Sequence, residues 1–207
     1  MEHLIDELAK LQELKEKGKA DARDFDMVSI LFTDFKGFTQ IAERLRPVEL
    51  VAELDKAFNA FDDIAEKHNI EKIKTSGDAY MAAGGVPIRN KTNPVDCILA
   101  AMRMQAFMKD AQMRAPSEAP IWELRIGLHT GEIIAGVVGK KKFAYDIWGD
   151  TVNVASRMET LSYPGRINIS ENTYALIKDQ FDCEYRGELD VKNKGVMKMY
   201  FVNGMKE

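Results

Sequence analysis

The sequence predicts an α+β fold, a ferredoxin-like βαββαβ sandwich preceded by an N-terminal helix. Three observations point there. Short apolar runs such as MVSILF (27–32) have the length of buried strands. Two long segments carry apolar residues at helical spacing. The order strand–helix–strand occurs twice along 207 residues, a length that suits one domain.

Residues 1–18 read as a helix, with Leu4, Leu8, Leu11 and Leu14 on one side. Acids at its start and lysines at its end suit the helix dipole, and Gly18 ends it. The segment 1–20 is either a surface helix docked on the core or the stub of a coiled coil from an upstream regulatory domain. Two heptads alone are marginal in water, so packing against a partner must stabilise it. Residues 21–207 then form the main domain.

The strand 27–32 runs into Asp34-Phe35-Lys36-Gly37-Phe38-Thr39, with Thr39 placed to cap the next helix. Residues 47–68 form a long helix: Pro47 suits its first turn, and Leu50, Leu54, Phe58, Phe61 and Ile64 make one stripe. Strands 70–76 and 79–84 are joined by a tight turn at Ser76-Gly77-Asp78. Residues 93–114 form a helix whose Met102, Met104, Met108 and Met113 read as core filler. A second hairpin is expected from strands 122–128 and 132–138, turning at Thr130-Gly131. A short strand follows at 143–148 and a helix from Asp150 or Thr151 to about Leu161. Strand 166–169, helix 171–178 and strands 181–190 and 198–203 complete the chain.

Composition removes several classes of function. The net charge of -4 offers no general attraction for nucleic acid. No apolar run approaches the roughly 18 residues needed to cross a bilayer. Cys97 and Cys183 lack metal-type spacing and read as reduced, which fits a cytoplasmic chain or the cytoplasmic part of a larger, membrane-bound one. His3, His68 and His129 are scattered, against a zinc enzyme. No P-loop, dinucleotide fingerprint or nucleophile elbow occurs.

Chemistry concentrates in three places. Asp34 ends a buried strand just before a helix start, so its carboxylate sits beside free backbone N–H groups at Phe38 and Thr39 that suit phosphate. Asp78 lies at a hairpin tip. Each acid alone reads equally as a turn or cap residue. Together, at the ends of adjacent strands, they suit a pair of Mg²⁺ ions. Asn153 and Arg157, four apart, share a helix face fit for a ribose oxygen and a phosphate, or simply an exposed polar face.

Five segments resemble class III adenylyl cyclase catalytic domains, in the family's order: LFTDFKGFT (31–39), EKIKTSGDAYMAAGG (71–85), LRIGLHTG (124–131), YDIWGDTVNVASRM (145–158) and VKNKG (191–195). The resemblance implies a nucleotidyl cyclase fold and conversion of ATP to cyclic AMP with two Mg²⁺ or Mn²⁺ ions per site. It assigns metal binding to Asp34, Asp78 and the Phe35 carbonyl. Asn153 matches the residue that orients the ribose, and Arg157 the one that stabilises charge on the transferred phosphorus. Arg125 and Lys192 match positions that bind the terminal phosphates. Lys74 and Asp146 match the pair that reads adenine, where guanylyl cyclases carry Glu and Cys-like residues. It also implies a head-to-tail homodimer: one chain gives the aspartates, the other the adenine pair, Asn153 and Arg157.

Overall fold

The computed structural model describes residues 22–117, 119–138 and 144–206, so the expected N-terminal helix at 1–18 lies outside the described residues. The elements run β1 (Arg23–Phe35), α1 (Phe38–Ala42), α2 (Pro47–Lys67), β2 (Ile70–Ser76), β3 (Ala79–Gly84), α3 (Asn93–Arg114), β4 (Leu124–Val138), β5 (Ala144–Trp148), α4 (Asp150–Thr160), β6 (Ile167–Ser170), α5 (Glu171–Ile177), β7 (Phe181–Val191) and β8 (Gly195–Met205). The strands join in one sheet ordered β2-β3-β1-β4-β6-β8-β7, with β5 also paired to β4. Neighbours are antiparallel except β4 and β6, which run parallel. This is the α+β sandwich expected.

Alternation along the central strands feeds two cores. Leu31 and Phe35 of β1, with Leu124, Ile126 and Leu128 of β4, pack beneath α2 and α3 through Phe61, Ile98 and Met104. Val28 and Ile30, from the intervening β1 positions, join Ile133, Ile147 and Ala155 on the face that carries β5 and α4. Asp34 stands between Thr33 and Phe35, so it belongs to the α4 face, as does Arg125 between Leu124 and Ile126.

Four expectations are corrected. Residues 122–138 do not form a hairpin: β4 is one strand of 15 residues that pairs with β1 on one side and with β5 and β6 on the other. Thr130-Gly131 is held extended by those ladders. The glycine serves a close approach, since a Cβ on Gly131 would lie 2.6 Å from Thr151 Oγ1 of α4. Thr39 caps nothing; it is the second residue of the five-residue helix α1, whose N-cap is Gly37 at φ 72. Met113 is 68% exposed, so only Met102, Met104 and Met108 of the methionine cluster face the core. The last strand runs over Gly195–Met205, longer than expected, because all of β7 pairs with it.

Candidate active site

The carboxylate half of the site forms where β1 ends. Asp34 is the direct cross-strand partner of Arg125 on β4, and the guanidinium forms an ion pair with it. Opposite charges at facing positions on one side of an antiparallel pair favour that register. Arg125 Nη2 also lies 3.1 Å from Glu159 Oε1 of α4, a charge contact outside hydrogen-bond geometry.

Asp78 reaches the same place from the β2–β3 turn. Gly77, at φ 61, supplies the left-handed residue this two-residue turn requires, and Ser76 pairs with Ala79 across it. Burial, then the adjacent Asp34 carboxylate, raises the Asp78 pKa to about 6, against a smaller lowering by the Phe35 backbone N–H. Glu159 is pushed to about 7 by burial and by Asp34, with Arg125 opposing. Two carboxylates, Asp34 and Glu159, thus share one guanidinium, while Asp78 adjoins Asp34, and this preponderance of acids suits a cation. Among the described residues no three His, Cys, Asp or Glu side chains converge as a metal cage. A pair of carboxylates without a cage suits Mg²⁺, which keeps water and phosphate oxygens in its shell.

Lys74 and Asp146 meet although 72 residues apart: Lys74 Nζ donates to Asp146 Oδ2 at 2.6 Å. A bulge places them. β2 and β3 slip register between Lys72 and Lys74, so Ile73 is the extra residue, and Ile73 packs into the core on the α4 face. Asp146 is fixed in turn, since its Oδ1 accepts from the Ile147 N–H at 2.9 Å.

Asn153 and Arg157 lie elsewhere on α4. That helix buries Thr151, Val154, Ala155, Met158 and Glu159. Asn153 is exposed and Arg157 half-buried, on the side turned from the sheet, and neither side chain has a hydrogen-bond or ion-pair partner among the described residues. Lys192 is exposed in the β7–β8 turn, which is tied to the start of α4 by an ion pair between Lys194 and Asp150. The Phe38 ring packs 6.3 Å from that of Trp122, and Thr39 is exposed, so only the backbone of Phe38 remains for a ligand. His129 is part of a buried hydroxyl network: its Nδ1 lies 2.6 Å from Ser170 Oγ, and burial lowers its pKa to about 4.

Sequence reading missed Glu159. Its only signal was a carboxylate beside Met158 in a helix that otherwise turns apolar or small groups inward.

Residues 20–204 match the family described as the adenylate and guanylate cyclase catalytic domain. An adenylate cyclase of Mycobacterium tuberculosis is 43% identical over 185 residues, covering 89% of this chain and 41% of that protein. Human guanylyl cyclase C is 40% identical over 201 residues, covering 95% of this chain and 19% of that protein. The chain thus spans less than half the length of these curated relatives. Among solved structures, the adenylyl cyclase CyaB of P. aeruginosa superposes with a TM-score of 0.85 at 31% identity, over 91% of this chain and 98% of that one. The guanylate cyclase domain of RhGC from Catenaria anguillulae, in complex with GTP, superposes at 0.84 with 33% identity, over 89% of this chain and all of the other. With the site's geometry and these likenesses together, the chain belongs to the class III nucleotidyl cyclase catalytic domains.

Proposed function

We propose that this domain is an adenylyl cyclase, converting ATP to 3′,5′-cyclic AMP and pyrophosphate by in-line attack of the ribose 3′-hydroxyl on the α-phosphorus. The observation that carries the choice of base is the pair Lys74–Asp146. A lysine donates to a ring nitrogen of adenine, and an aspartate accepts from its exocyclic amino group. Guanine offers the reverse pattern and would leave both groups unpaired. Overall likeness does not choose between the bases, because adenylyl and guanylyl cyclases both resemble this chain at similar identity.

Asp34, Asp78 and the Phe35 carbonyl would hold two Mg²⁺ or Mn²⁺ ions, which supply charge stabilisation and acidify the attacking hydroxyl. Asn153 orients the ribose. Arg157 meets the charge that develops on the transferred phosphorus. Arg125, Lys192 and the backbone at Phe38 and Thr39 hold the terminal phosphates. No side chain is assigned as general base.

The outward direction of Asn153 and Arg157 supports the reading of a head-to-tail homodimer. Their face of α4 is opposite the one that carries Glu159 toward Arg125. A second copy that presents this face to Asp34 and Asp78 completes two equivalent sites by two-fold symmetry.

The test is a cyclase assay of the purified protein with ATP and with GTP in Mg²⁺ or Mn²⁺. ATP should be preferred in kcat/KM by up to about 10⁴-fold, the range open to sites that leave polar groups unpaired with the wrong substrate. A preference for GTP refutes the assignment of base. Asp34→Ala should abolish turnover in a folded protein; retained turnover refutes the assignment of the metal site.

A further inference from the structure

Glu159 puts a carboxylate where α4 otherwise buries apolar and small groups, and it is only 8% exposed. Burying a carboxylate is costly unless a cation meets it. The cation is Arg125, through the same Nη2 that pairs with Asp34. One guanidinium is therefore shared between a carboxylate on β1 and a carboxylate on α4, while its Nε is buried without a partner.

This sharing matters when Asp34 takes a metal ion. The ion and the guanidinium then compete for one carboxylate, and they repel each other at short range. If Arg125 had Asp34 alone, its displacement would leave a largely buried cation uncompensated. Glu159 offers the second carboxylate, 3.1 Å away, with no movement of backbone required.

We propose that Glu159 is a positioning residue that keeps Arg125 paired, and so keeps it in the site, when a divalent cation claims Asp34. The inference rests on the reading of Asp34 and Asp78 as metal ligands. It makes Arg125 a resident competitor of the metal in the nucleotide-free protein, which turns from Asp34 to Glu159 when the metal binds and so stays beside the place of the substrate's terminal phosphates. Glu159 lowers the cost of that exchange.

The experiment measures Mn²⁺ binding to the nucleotide-free protein, following free Mn²⁺ by its paramagnetic resonance signal. It compares wild type, Glu159→Gln, Arg125→Gln and the double variant. Glu159→Gln should weaken Mn²⁺ binding roughly three- to tenfold, the size of coupling usual for side chains in one ionic network. Arg125→Gln should bind Mn²⁺ at least as tightly as wild type, while raising KM for ATP. In the Arg125→Gln background, Glu159→Gln should change Mn²⁺ binding by less than about twofold, since nothing remains for it to act through. An equal loss in both backgrounds overturns the proposal, because the carboxylate would then act on the ion directly through its charge. No loss in either background overturns it too.

Glu159→Gln is nearly isosteric, whereas Arg125→Gln shortens the side chain and removes its charge, and urea unfolding checks that the fold persists in each. Should Glu159→Gln fail to fold, Glu159→Asp keeps the charge and shortens the reach; it should show a smaller loss, again only when Arg125 is present. Asp34→Ala separates the two levels of inference. Mn²⁺ binding that survives Asp34→Ala sinks the metal site itself. Binding that is lost there, with equal effects of Glu159→Gln in both backgrounds, sinks only the role of Glu159.

Discussion

Gly127 of β4 and Glu159 of α4 touch backbone to backbone: a Cβ on Gly127 would lie 1.8 Å from the Glu159 nitrogen and 2.3 Å from the Met158 carbonyl carbon. The helix that carries Asn153, Arg157 and Glu159 is seated on the strand at a point where only glycine fits.

Gly127→Ala should therefore push α4 away from the sheet. Overpacking costs typically about 1–3 kcal/mol, and here the obstacle is backbone that cannot rotate aside, so the upper part of that range is expected. The urea midpoint measures it. An unchanged midpoint would mean that α4 sits further from β4 than the structure places it.

Base choice should follow the Lys74–Asp146 pair. Lys74→Glu with Asp146→Cys replaces a donor and acceptor suited to adenine with groups of the guanylyl type. The kcat/KM ratio for ATP over GTP should fall by roughly 10²-fold or more, as hydrogen bonds to charged groups are worth about 1.5–3 kcal/mol each. Measurement of both substrates on both proteins checks it; an unchanged ratio would detach this pair from the base.

Subunit complementation tests the shared site. Asp34→Ala and Arg157→Ala should each be inactive alone. Mixed in equal amounts they should recover about a quarter of wild-type activity, since half the dimers are mixed and each mixed dimer has one intact site of two. Specific activity of the wild type should also rise with protein concentration. Activity that stays absent from the mixture, in a protein shown to exchange subunits, would contradict sites built across the interface.

Stability without metal should depend on pH through Asp78. Its pKa is raised to about 6 in the folded chain from about 3.8 unfolded. A raised carboxyl pKa means that the folded state holds its proton more tightly. The associated stability is fully present below pH about 4 and is lost as pH rises through about 6. Glu159, raised to about 7, extends the decline in the same direction. Thermal scans from pH 4 to 8 should show this decline in metal-free protein and a smaller one with Mg²⁺ present. The same decline in Asp78→Asn would assign it to other groups.

The candidate site residues were largely legible in the chain, because their types and local settings single them out. Asp34 follows an apolar strand, Asp78 sits in a Gly-Asp turn, and Asn153 and Arg157 are a helical turn apart. The elements were legible where one periodicity dominates, as in α2, whereas the apolar run 27–32 marked only the middle of β1, which spans Arg23–Phe35 because its ends are held by the ladder with β4. Gly131 misled because glycine marks both turns and close approaches, and only the packing of Thr151 distinguishes them here. The bulge at Ile73 was invisible for a related reason: a one-residue slip depends on how β2 meets β3, and no local pattern records it.

By itself, the sequence determined the fold class and, through resemblance, the family, and it singled out the two candidate aspartates and the candidate base-reading pair. Tertiary structure decided who meets whom. It set Lys74 against Asp146, paired Arg125 with Asp34, drew Glu159 into the same charge cluster, and turned Asn153 and Arg157 away from it. The physical reason is that local propensity and periodicity act over a few residues. Ion pairs between residues tens of positions apart form only when strand register and helix seating close the distance, and those depend on the whole sheet.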